Sequence, residues 1–200
     1  MGKLFSDNLM LSSFALLVAN LVPIIGVLLW GWDVTLIIGL YWIENLVIGL
    51  LNLPKMWMCE SEGRNPLFLS LFFTVHFGMF CGVHGAAIGT IFMEGDYPLS
   101  LLGEPALRLT LIGLFLSHFL SFGVNFIGGR EYEMRNINTQ MKLPYRRIMI
   151  MHIVVLIGGA LVQFFGQPIF ALLVLIALKT GIDLKSHRDE HAGLRTDRVY

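Results

Sequence analysis

Long apolar runs separated by short polar connections set the pattern of this chain. Stretches near 9–30, 34–57, 67–93, 107–127, 147–165 and 168–184 each approach the roughly 20 apolar residues that carry a helix across a hydrocarbon core. The first is too long for the apolar region of a secretory signal, and no small-residue cleavage site follows it, so a retained helix is expected. In the last, only Ile169 to Leu178 is free of polar groups. Lys179 can snorkel from a longer, tilted helix there, although a re-entrant segment fits the same pattern. The pattern predicts an all-α, polytopic transmembrane bundle of about six spans. It forms a single integral-membrane domain over 1–200 and ends in a polar tail at 185–200.

Composition agrees with the pattern. The 200 residues are 56% hydrophobic and 14% charged, with mean hydropathy +0.71, far from the usage of soluble domains. Lys and Arg together number 14, as do Asp and Glu, so no basic field favours nucleic acid. Placement of the charges says more than their sum. With both termini cytoplasmic, every Lys and Arg except Arg108 falls on the cytoplasmic side, as the positive-inside rule requires. Asp33, Glu94, Asp96 and Glu104 then mark the outer side. A membrane is the expected location, and the lipid bilayer the expected partner, with homo-oligomerisation left open. Cys59 and Cys81 form no C-x-x-C pair and no disulfide framework.

Polar residues inside apolar runs carry the functional signal, because ionisable groups at membrane depth are costly. At about 1.5 Å rise per residue, Glu44, His76 and His118 lie about 15, 14 and 16 Å into their spans, all near the midplane. His152 lies roughly 8 Å in and rises with tilt. His84 is turned about 80° away from His76 and is not expected to share the centre. Two or three histidines with one acid is a layout for a transition metal such as zinc or iron, with Glu44 as ligand or general base. Axial ligation of haem is a lesser alternative. The same groups can relay protons in a carrier or channel. They can also be packing histidines, each bonded to a carbonyl of a neighbouring helix. Glu44 decides between charge states: alone in lipid it stays protonated, whereas a cation beside it keeps the carboxylate. Asn45 points about 100° away from it and serves another neighbour.

Weaker patterns add detail. Sliding "IGLYWIENLVIGL" by 74 residues onto "IGLFLSHFLSFGV" pairs Glu44 with His118, and the following spans pair His76 with His152, as a duplicated hairpin would. Gly78, Gly82, Gly85 and Gly89 form a stripe expected to pack one face of the third span closely. Ser117, Ser121, His118 and His152 supply the residue types of a rhomboid-type protease, but the G-x-S-G nucleophile pattern is missing. His187 and His191 in "HRDEH" have metal-compatible spacing in a charged tail. "PYRR" and "GREYEMR" suit interfacial anchoring.

The segment "LYWIENLVIGLLNLPKM", the histidine-bearing spans after it and the inner "IGGREY" resemble the DUF6498 family of uncharacterised prokaryotic multi-span membrane proteins. Tyr41, Trp42, Glu44, Asn45, Gly49 and Lys55 carry that motif. The resemblance covers most of the chain and implies a multi-span protein of a prokaryotic inner membrane without a known activity. The leading expectation is a membrane-embedded metal centre, hydrolytic or redox; a proton-coupled transporter or channel is the alternative, and a structural or partner-binding membrane protein the third.

Overall fold

A computed structural model describes residues 25–29, 31–103 and 107–181. Helix α1 (Val34–Met58) starts where the Asp33 carboxylate accepts from the Thr35 amide at 2.7 Å. Helix α2 (Pro66–Phe92) starts at Asn65, whose side chain accepts from Leu67 and Phe68, with proline in the first turn where no amide is needed. Helix α3 (Arg108–Ser121) runs on through a π-helical segment, Phe122–Gly128. A short helix α4 (Ile137–Lys142) leads into α5 (Tyr145–Ile153), which continues through π-helical Val154–Gly158 and helical Gly159–Phe165. Gly166, at φ +67°, closes α5 and turns the chain into α6 (Ile169–Gly181).

The fold is all-α, and among the described residues the one β feature is an isolated bridge between Glu60 and Asn136. Four segments are long and apolar enough to cross a membrane: Val34–Met58, Pro66–Phe92, Thr110–Gly128 and Ile137–Phe165. This is a membrane protein. α6 is apolar but shorter than those spans. The expected first span lies outside the described residues apart from a helical stretch at 25–29, and the tail with His187 and His191 lies wholly outside them.

Two sequence expectations change in detail. The fifth span begins at Ile137 instead of 147, because Asn136 caps it by accepting from the Thr139 amide at 2.8 Å. The polar stretch Asn138 to Lys142 conceals that start from a hydropathy reading. The glycine stripe packs along only half its length: Gly85 and Gly89 are buried, while Gly78 and Gly82 face open space. A Cβ on Gly85 would come within 2.7 Å of the Trp42 ring, so α1 and α2 approach there only because the side chain is absent.

Trp42, Ile38 and Ile43 of α1 pack with Ile88, Met151 and Leu172 in one core; Met56, Phe73, Phe77 and Ile148 form a second. The Trp42 indole donates to the Cys81 carbonyl at 2.8 Å. Phe68, Val75 and Met79 on α2 and Phe115, Phe119 and Val124 on α3 are exposed. In lipid that outward apolar face is solvated, whereas in water it would drive association.

Candidate functional site

Glu44 sits at the centre of the polar residues of α1. Its Oε1 lies 3.0 Å from His118 Nε2 on α3, and its Oε2 pairs with Arg147 near the start of α5. A carboxylate has no hydrogen to give, so His118 donates through Nε2–H and its Nδ1 is left with a lone pair in the neutral ring. The Arg147 guanidinium also lies 5.1 Å from the centre of the Tyr41 ring, one turn below Glu44 on the same face. Glu44 thus has its cation, and the carboxylate form follows from the pairing. Asn45 turns away, as its position around the helix predicts, and donates to the Tyr41 carbonyl at 2.8 Å.

The other histidines are placed elsewhere. His76 Nδ1 lies 2.9 Å from the Tyr145 hydroxyl and its ring stacks on Phe72. His84 Nδ1 faces the Phe80 carbonyl at 2.7 Å, while its Nε2 lies 3.0 Å from His152 Nδ1. A carbonyl only accepts, so His84 donates through Nδ1 and receives at Nε2 from His152. The four expected ligands Glu44, His76, His118 and His152 therefore fall into three pairings: Glu44 with His118, His76 with Tyr145, and His152 with His84. Among the described residues no group of three or more His, Cys, Asp or Glu is placed to hold one metal ion.

Arg147 is the member of this site that the sequence pattern misses, since "PYRR" reads as an interfacial anchor and not as part of a buried centre. The available signal was Asn136, a helix-capping residue type, which moves the start of the span and carries Arg147 inward to the level of Glu44. The angle between His84 and His76 does not separate them by neighbour: both face α5, His76 at Tyr145 and His84 at His152.

Beside His118 and Arg147 opens a cavity of about 220 Å³ that reaches Asn52 and Lys55 on α1 and Arg135 and Gln140 beyond α3. The π-helical segment Phe122–Gly128 does not line the cavity but supports Lys55, whose ammonium lies over the Phe122 and Phe126 rings at 5.9 and 5.2 Å. Departures from α-helical bonding of this kind collect at functional sites.

Neither a curated protein nor a solved structure matches the chain. A family model does match, over residues 4–198, and the chain belongs to that family, DUF6498, a family of unknown function.

Proposed function

We propose that this chain is a proton-linked carrier or channel of a prokaryotic inner membrane, working through Glu44, His118 and Arg147. One arrangement supports the reading: a carboxylate inside α1 is shared between an imidazole and a guanidinium from two other helices, beside a polar cavity. His118 can take a proton on Nδ1 while Nε2–H stays on Glu44. The resulting imidazolium competes with Arg147 for one carboxylate and weakens its hold on the guanidinium. Loss of the proton restores the grip. A six-span arrangement with both ends cytoplasmic is supported by the bias of Lys and Arg along the sequence.

Proton flux into liposomes carrying the purified protein tests this. The expected result is a voltage-driven flux above that of empty liposomes, lost in His118→Ala and in Glu44→Gln. Flux equal to that of empty liposomes, or unchanged in both variants, contradicts it.

A transition-metal centre, zinc or iron, is the second reading, and a specific distance favours it. His84 Nε2 and His152 Nδ1 are 3.0 Å apart, close to the separation of two nitrogens sharing a tetrahedral ion at about 2.0–2.1 Å. The Phe80 carbonyl fixes the His84 tautomer in the manner of an outer-shell partner. Near-stoichiometric metal by elemental analysis, lost in His84→Ala, supports this reading. Loss in Glu44→Gln and His118→Ala instead moves the ion to the Glu44 centre, and metal-free protein after supplementation removes both.

A further inference from the structure

The cavity beside Arg147 has a property that proton handling does not use: all of its charged lining is cationic. Lys55, Arg135 and Arg147 line it, and no carboxylate does. Glu131 pairs with Arg135 at 3.3 Å, as Glu44 pairs with Arg147, but neither acid reaches the lining. Among the described residues Lys55 has no ion pair; its ammonium rests over Phe126.

Around the cavity the unspent groups are mostly donors, the His118 Nδ1 lone pair being the exception. Arg135 Nη1 donates to Gln140 Oε1 at 3.3 Å, and a guanidinium cannot accept, so the Gln140 carbonyl is fixed toward it. The Gln140 amide nitrogen then donates to Asn52 Oδ1 at 2.7 Å. The Asn52 carbonyl is thereby used, and its Nδ2 is buried with no partner in a residue only 2% exposed. Arg147 Nε is likewise buried and unpartnered. Ser121 Oγ already accepts from Asn125 Nδ2 at 3.2 Å, which leaves its hydroxyl hydrogen to give. A buried donor without an acceptor costs about 1–3 kcal/mol. Water can satisfy such donors, but it leaves the unpaired Lys55 charge beside two arginines, each of which has only one acid partner. An oxyanion answers both deficits.

We infer that this cavity binds a tetrahedral oxyanion of the phosphate class, held by Lys55, Arg135 and Arg147 with the Asn52 amide as a neutral donor. Its volume of about 220 Å³ admits such an ion with several waters, each of which occupies about 30 Å³ in the liquid. Two sources present the same chemistry: a free phosphate group, and the phosphate of a lipid headgroup entering from the bilayer. The site stands on the cavity alone and does not depend on proton flux.

The test uses the full chain in detergent. One arm follows the thermal unfolding midpoint during titration with inorganic phosphate, against chloride at matched ionic strength. The other uses native mass spectrometry to count retained phosphatidylglycerol and phosphatidylcholine. Lys55→Gln keeps the stem of the side chain and removes the charge. Asn52→Asp keeps the acceptor for Gln140 and replaces the spare donor with negative charge. The expected result is saturable stabilisation by phosphate, or a retained phospholipid, weakened about tenfold in either variant, the size of one charge-assisted bond. Response in the first arm alone assigns a free anion, and retention in the second assigns a headgroup. No stabilisation beyond chloride together with no retained phospholipid overturns the proposal, as does binding unchanged in Lys55→Gln.

Discussion

Two polar regions of this bundle use similar residue types to opposite ends. Where α2 packs on α5, His76 bonds to Tyr145 and His84 to His152 and the Phe80 carbonyl, so each ring has its partner inside the packed interface. Where α1 meets α3 and α5, Glu44, His118 and Arg147 adjoin a cavity, and buried donors on Asn52 and Arg147 lack acceptors. A polar residue in a membrane helix is therefore not itself the signal of function. The surplus left after its neighbours are counted is.

Substitutions should separate the two regions by size of effect. Arg147→Met leaves the Glu44 carboxylate without its cation; the pair is only partly buried beside the cavity, so the expected cost is about 1–2 kcal/mol, below that of a fully buried pair. Denaturant titration in mixed micelles measures it; a loss below that of an ordinary surface change would mean that the pair is solvated. Gly85→Val drives a side chain into the Trp42 ring and is expected to cost about 2 kcal/mol, whereas Gly82→Val, facing open space, should be close to neutral. Equal costs at the two glycines would count against the α1–α2 contact.

On the packed side, His76→Phe keeps the stacked ring and removes one neutral hydrogen bond, so a loss of about 1 kcal/mol is expected with no effect on proton flux. A flux defect in that variant would place His76 in the working site after all. The smallest effect concerns Cys59, just past the end of α1. Burial pushes its thiol above the ordinary range, and nearby Arg135 only partly offsets this. At neutral pH it is held as the thiol, so alkylation by iodoacetamide should be slow and should accelerate as pH rises past the usual thiol value of about 8.5. Fast labelling at neutral pH would show the site to be open.

Much of the fold was legible because hydropathy records lipid contact directly: the spans from α1, α2 and α3 lie within a few residues of their expected limits. Glu44 and His118 were legible for the same reason, as costly groups at one depth, and they meet at 3.0 Å. They are also the residues that the 74-residue internal offset superposes. Arg147 was not legible from hydropathy, because the start of its span is written in a capping asparagine and a polar first turn. Helix rotation was harder still. Depth follows from counting residues, but which neighbour a ring faces depends on packing around Trp42, Phe77 and the small residues between them, and a periodic apolar sequence does not encode that order.

That Glu44 and Arg147 act as one unit with His118 is tested most directly by a double-mutant cycle, with Glu44→Gln, Arg147→Met and the double variant unfolded under the same conditions. A coupled pair predicts that adding Glu44→Gln to Arg147→Met restores stability, with a coupling energy of at least about 1 kcal/mol. Strictly additive losses would show that the two charges do not meet, and would contradict the centre on which the function proposed here is built.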